Sequence, residues 1–94
     1  MSYELEFDPR AWKEWKKLDR TVQEQFKKRL AEVVNKPRIE SNKLREFPDC
    51  YRIKLRRSGY RLVYQVREQA IVIFVIAIGK RGRKRVYKSA RKRL

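Results

Sequence analysis

The stretch Tyr51-Arg-Ile-Lys-Leu-Arg-Arg-Ser-Gly-Tyr60-Arg-Leu-Val-Tyr-Gln-Val-Arg-Glu-Gln-Ala70-Ile-Val-Ile-Phe-Val-Ile-Ala-Ile-Gly79 decides the fold. Tyr51, Ile53 and Leu55 alternate with Arg52, Lys54 and Arg56; after Ser58-Gly59, Tyr60, Leu62, Tyr64 and Val66 alternate with Arg61, Val63 and Gln65. A period of two is that of a half-buried strand, and two such runs around Ser-Gly predict a β-hairpin. With Ser58-Gly59 as a two-residue turn, Arg57 opposes Tyr60, so Arg56 faces Arg61, Lys54 faces Val63 and Arg52 faces Gln65. Arg52, Lys54, Arg56 and Arg61 then share one face. A three-residue loop would instead send Arg61 to the other face. Glu68-Gln69 predicts a second turn into Ala70–Ile78, a β-branched run apolar on both faces, as expected of a central strand.

Upstream, Tyr3, Leu5 and Phe7 alternate with Glu4 and Glu6 and predict a first strand. Asp8-Pro9 is a helix start, because the carboxylate caps free N–H groups and proline at the first position loses no bond. Ala11, Trp12, Trp15 and Leu18 mark the buried stripe of this helix, both tryptophans reading as core. Thr21 with Glu24 is a capping box opening a second helix, on which Val22, Phe26, Leu30, Val33 and Val34 recur at helical spacing until Pro37. A connection of a residue or two near Asp19 and Arg20 makes the two helices an antiparallel hairpin on one sheet face. Lys36 to Asp49 reads as a loop with a short strand at Lys43–Phe47. Downstream of Gly79, Val86, Ala90 and Leu94 stand at helical spacing from about Arg83, on a thin apolar stripe. Such a helix is expected to be the least stable element and open to displacement by a partner.

At 94 residues the chain makes one small domain, expected to bury about 60 to 65% of the surface its unfolded form exposes. The expectation is a single α+β domain over residues 1–94, in the order β-α-α-β-β-β-α, with a four-stranded, largely antiparallel sheet. The chain holds 27 Lys and Arg against 11 acids, for a net charge of +16. The excess is concentrated: residues 1–50 hold 12 basic and 10 acidic side chains, residues 51–94 hold 15 and 1. A field of that sign attracts polyanions, nucleic acid first and anionic membrane second. With no His and only Cys50, internal disulfides, tetrahedral zinc sites and histidine acid–base catalysis are excluded. Cys50 itself reads as a small buried residue rather than a nucleophile. The acidic N-terminus is unlike a signal peptide and Ala70–Ile78 is too short to span a bilayer, so the cytoplasm is the expected compartment, with no membrane partner.

Two basic constellations carry candidate chemistry. The cationic hairpin face could be a solvated sheet surface, but such faces mix both signs, and no acid lies between Tyr51 and Arg67. The second, Lys80-Arg81-Gly-Arg83-Lys-Arg-Val-Tyr87, leaves the end of the central strand, where loops hold sites on a rigid scaffold; it could equally be a solubilising basic tail. Tyr87 offers a ring that can stack on a base and a hydroxyl that can move a proton, or it packs on the sheet.

Together with the element order, Asn42-Lys-Leu-Arg45, Pro48-Asp-Cys-Tyr-Arg-Ile-Lys-Leu55, Ser58-Gly-Tyr-Arg-Leu-Val-Tyr-Gln65, Gly79-Lys-Arg81 and the Tyr six residues after that Arg resemble the RelE toxins of bacterial toxin–antitoxin modules along essentially the whole chain. The resemblance implies a ribosome-dependent endoribonuclease that cuts mRNA in the ribosomal A site by metal-free attack of the 2′-hydroxyl, leaving a 2′,3′-cyclic phosphate. It implies no cofactor. By motif position its catalytic set is Arg52, Lys54, Arg61, Arg81 and Tyr87, with Arg45 a supporting RNA contact; Arg56, Lys80 and Arg83 of the two basic constellations are further candidate RNA contacts. The base is either Lys54 or Tyr87, since clustered cations lower a neighbouring Lys or Tyr pKa. The family pattern has Lys where this chain has Arg52, which suits a bidentate phosphate clamp rather than proton transfer. The implied partners are an acidic antitoxin of the RelB kind that wraps the basic face, the ribosome with its mRNA, and operator DNA bound through the antitoxin complex. A non-catalytic basic module binding ribosomal RNA or DNA, and a gyrase-directed toxin on the same scaffold, are the alternatives.

Overall fold

The structure is a computed structural model that describes residues 2–80, 82 and 85–94. β1 (Glu4–Phe7) leads into helices α1 (Pro9–Lys16) and α2 (Arg20–Val33); a 3-10 turn (Glu40–Asn42) follows, then β2 (Cys50–Lys54), β3 (Tyr60–Arg67), β4 (Val72–Lys80) and α3 (Arg85–Arg93). The sheet order is β1-β4-β3-β2, with β1 parallel to β4 and the other pairs antiparallel. β4 is therefore central, as its doubly apolar sequence requires. One face carries the helical hairpin, whose Trp15, Phe26 and Leu30 pack with Tyr51, Leu62 and Ile73. The other is covered by α3, whose Val86 and Ala90 pack with Cys50, Val63, Ile76 and Ala77. Among the described residues no helix is long and apolar enough to cross a membrane.

A one-residue irregularity sets the second core. β3 pairs Val63 with Ala77 but Tyr64 with Val75, so Ile76 is an extra residue in β4. Ile76 and Ala77 consequently both pack on the α3 side, while Val75 and Ile78 stay with the hairpin.

Several details differ from the sequence reading, each for a physical reason. Asp19, not Thr21, caps α2, its carboxylate accepting from Val22 N at 2.9 Å, and the helix has begun by Arg20. Glu24 pairs instead with Lys27. Trp12 is 45% exposed: it lies one position off the Ala11, Trp15, Leu18 stripe and meets Phe7 edge-on at 5.2 Å. Of Lys43–Phe47 only Lys43 forms a bridge, to Tyr51. Ala70 and Ile71 belong to the turn, Ile71 at φ 54°, and β4 starts at Val72. The β2–β3 register pairs Lys54 with Arg61 and Arg52 with Val63. Leu55 N–H donates to Tyr60 O, enclosing Arg56, Arg57, Ser58 and Gly59 in a four-residue loop, with Gly59 at φ 79°. Arg56 therefore does not oppose Arg61. The slip is two residues, so each side chain keeps the face its alternation gave it. Leu94 is 49% exposed, and the third inward position of α3 is Arg93.

The cap assignment predicts that Asp19→Ala lowers stability by about 1 kcal/mol in urea unfolding, whereas Thr21→Ala changes it by no more than ~0.5 kcal/mol.

Candidate active site

The hairpin alternation separates two jobs. Tyr51, Ile53, Leu62 and Tyr64 face the helical hairpin, so Arg52, Lys54 and Arg61 face the α3 side. Lys54 stands directly opposite Arg61, and Arg61 stands opposite Gly79 on β4. Gly79 leaves that side clear; a Cβ there would touch Val86 at 3.5 Å. α3 then crosses the same face and brings Tyr87 to Arg52, whose Nη1 donates to the tyrosine hydroxyl at 3.3 Å. Arg52 Nε is buried and has no hydrogen-bond partner among the described residues, so the side chain must move before that donor can meet an anion.

Like charges this close have a chemical consequence. Arg52, then partial desolvation, then Arg61 and Arg56 hold the Lys54 ammonium below the ordinary lysine pKa, with Tyr87 opposing. More of Lys54 is thus a neutral amine, able to accept a proton, than for an isolated lysine. Burial pushes the Cys50 thiol up to about 12, so it is neither a nucleophile nor a base.

Beside Arg52 and Tyr87 lies a cavity of about 290 Å³ whose lining includes Arg45, Glu46 and Phe47. Arg45 is exposed there. Glu46 and Phe47 lie in the segment whose sequence reads as a loop with a short strand, and the signal for their site role was only two apolar residues, Leu44 and Phe47, three apart in a polar run. Two of the lining residues are held from α3 by Arg91, which pairs with Glu46 at 2.7 Å and lies over the Phe47 ring. Arg56 sits in the exposed hairpin loop. Lys80 points to the opposite face from Arg61, its ammonium 5.6 Å from the Tyr60 ring centroid. Arg81 and Arg83 lie outside the described residues. A larger apolar cleft of about 490 Å³, lined by Leu5, Phe7, Trp12 and Leu30 among others, lies on the hairpin side and holds none of these cations. Among the described residues no cluster of His, Cys, Asp or Glu could hold a metal ion.

A family model described as the ParE toxin of type II toxin-antitoxin system, parDE, matches residues 5–85. The mRNA interferase toxin RelE of Escherichia coli strain K12 is 63% identical over 94 residues, which is 100% of this chain and 99% of that relative. The R81A/R83A mutant of E. coli toxin RelE in the free state has the same fold at TM-score 0.93 and 61% identity, over 100% of this chain and 99% of that one. A chain of the intact E. coli RelBE toxin–antitoxin complex matches at TM-score 0.85 and 63% identity, over 87% of this chain and 100% of its own. A shared scaffold alone would leave the branch of the superfamily open, but identity of this order along the whole chain does not: the protein belongs to the RelE toxin family of type II toxin–antitoxin systems.

Proposed function

We propose that this chain is the toxin of a toxin–antitoxin module, an endoribonuclease that cleaves mRNA in the A site of the ribosome and so stops translation in the cytoplasm. The observation that carries the reading is Lys54 set opposite Arg61 and crowded by Arg52, on the face where α3 presents Tyr87. The relative at 63% identity, named an mRNA interferase, supports it.

The reaction needs a base for the 2′-hydroxyl proton, positive charge around the phosphorane-like transition state, and an acid for the departing 5′-oxygen. Lys54 is the base, because its neighbours favour the neutral amine. Arg61 and Arg52 clamp the non-bridging oxygens. Arg52 offers a planar guanidinium, a better bidentate partner for phosphate than an ammonium. Tyr87, with its hydroxyl fixed by Arg52, supplies a stacking surface for an unpaired base at the mouth of the cavity. Arg81 donates to or stabilises the leaving oxygen. Arg45 and Arg56, exposed beside this face, hold RNA phosphates, and Lys80, on the opposite face, and Arg83 add to the basic charge that attracts ribosomal RNA. An acidic antitoxin neutralises this surface, and the complex binds operator DNA and represses its own operon. The solved RelBE complex supports an antitoxin partner.

The family model named for ParE favours a gyrase-directed toxin as the second reading. One experiment separates the two. Protein added to a defined mRNA, free and on ribosomes with an empty A site, is expected to give 5′ ends at the A site only on ribosomes, with Arg81→Ala inactive. Uncut mRNA in both samples despite ribosome binding, with inhibition of DNA supercoiling instead, would establish the gyrase reading.

The base assignment has a pH signature. Only the neutral amine accepts a proton, so the single-turnover rate is expected to rise about tenfold per pH unit until the lowered Lys54 pKa is reached. Lys54→Ala should lose roughly 10²- to 10⁴-fold in rate. Lys54→Arg, which keeps the charge without the titration, should show a flat profile.

A further inference from the structure

α3 is anchored to the sheet by three inward positions, and the third is ionic. Val86 and Ala90 are buried; one turn on, Arg93 occupies the same stripe with its side chain only 12% exposed. The reason lies in β4. β1 ends at Phe7, opposite Val75, so beyond that point β4 has no strand on this edge. Two of its backbone groups there are met by side chains instead. Ile78 N–H donates to Glu14 Oε1 at 3.0 Å, and Ile76 O accepts from Arg93 Nη1 at 2.8 Å. Arg93 closes the arrangement by donating to both carboxylate oxygens of Glu14, Nη1 to Oε1 at 2.8 Å and Nη2 to Oε2 at 3.1 Å.

One carboxylate on α1 and one guanidinium on α3 therefore tie three elements together at the edge left bare by the short first strand. The cation sits in the last turn of α3, where the helix dipole favours it. The other ion pair of this helix, Arg91–Glu46, has side chains 68% and 74% exposed and is the weaker restraint. α3 has only nine residues and, besides Arg93, fully buries just Val86 and Ala90, with Tyr87 partly buried on the same core, so freeing its Arg93 end lets the helix tilt about that short grip. Tyr87 rides in the first turn of that helix, and its link to Arg52 is already long at 3.3 Å.

We infer that Glu14 and Arg93 are positioning residues for the nuclease: their fork on the free edge of β4 fixes α3 and so sets the Tyr87 hydroxyl against Arg52. The inference rests on the reading of Arg52 and Tyr87 as parts of the cleavage site. The two residues act through Tyr87, not on the RNA.

The test compares Glu14→Gln, Arg93→Ala and Arg93→Lys with Lys92→Ala, which removes the same charge from an exposed position on the same helix. Three readouts are taken: kcat and KM on A-site-programmed ribosomes, amide exchange of α3, and the fluorine resonance of Tyr87 in protein labelled with 3-fluorotyrosine. Glu14→Gln and Arg93→Ala are expected to lose roughly 10- to 100-fold in kcat, the scale set by misplacing a substrate-positioning group by about an ångström, while KM stays within about twofold. Both should shift the Tyr87 resonance and speed α3 exchange. Arg93→Lys, which keeps the charge and one donor direction, should recover part of the rate and guards against simple misfolding. Lys92→Ala should keep the parental kcat and resonance.

The inference falls if Arg93→Ala matches Lys92→Ala, raising KM alone with the Tyr87 resonance unmoved. It falls too if α3 loosens and the resonance shifts while kcat stays parental. In that case Tyr87→Ala locates the fault: an inactive Tyr87→Ala overturns the positioning link alone, and a fully active one overturns the reading of the site as well.

Discussion

β4 is apolar on both faces, so neither face can be left to water, and each must find a cover from a chain of modest length. The helical hairpin supplies one cover with large side chains, Trp15 and Phe26 among them. The remaining face falls to α3, a helix so basic that only Val86 and Ala90 give it an apolar grip. Ile76, the extra residue in β4, makes that grip sufficient by turning two consecutive side chains, Ile76 and Ala77, toward the helix. Burial of the central strand thus dictates where α3 lies, and with it the approach of Tyr87 to the hairpin.

The cationic face is a local conflict within an otherwise consistent design. Cross-strand like charges such as Lys54 and Arg61 oppose pairing, and among the described residues a buried guanidinium nitrogen on Arg52 has no partner. The hairpin tolerates this because its other face is well packed, with Tyr51 stacked on Tyr64 at 5.6 Å and the Tyr64 hydroxyl donating to Pro37 O. Unpaired charge held in place by a rigid back face is what a polyanion-cleaving site requires, since its donors need not reorganise when negative charge develops. Places where local rules are broken without local compensation are expected to be functional.

How much of this was legible in the sequence depends on which physical signal fixes each feature. Side-chain alternation fixed the faces of β2 and β3, and a slip of two residues left those faces intact even though the turn was misjudged. The turn itself was ambiguous because Arg56 and Arg57 carry no conformational signature, while Gly59 suits several loop lengths. The α2 start was misplaced because Asp19 and Thr21 are both good caps, and only the coordinates show which oxygen reaches Val22. Arg93 was passed over because a hydropathy stripe counts apolar residues, and Leu94 looked the better third anchor. The sequence shows the first strand to be shorter than the central one, but nothing in a one-dimensional pattern reveals that β1 pairs with β4 or in what register, so the demand for polar groups at that edge could not be read. Glu46 and Phe47 were missed for a similar reason: a loop's contribution to a cavity depends on what lies across from it.

The division of labour between the two sheet faces also bears on how freely the basic face can vary on this scaffold. The larger core lies between the sheet and the helical hairpin, whereas the candidate chemistry lies on the α3 side, on side chains that point away from that core. Alternation makes the two sets nearly independent: replacing Arg52, Lys54 or Arg61 leaves Tyr51, Ile53 and Leu62 where they are. The exception is the Glu14–Arg93 fork, which runs from α1 around the bare edge of β4 to α3 and so joins the two sides of the sheet. A scaffold built this way can exchange its basic face for another without refolding, provided whatever replaces α3 still meets the backbone groups that the first strand leaves unpaired.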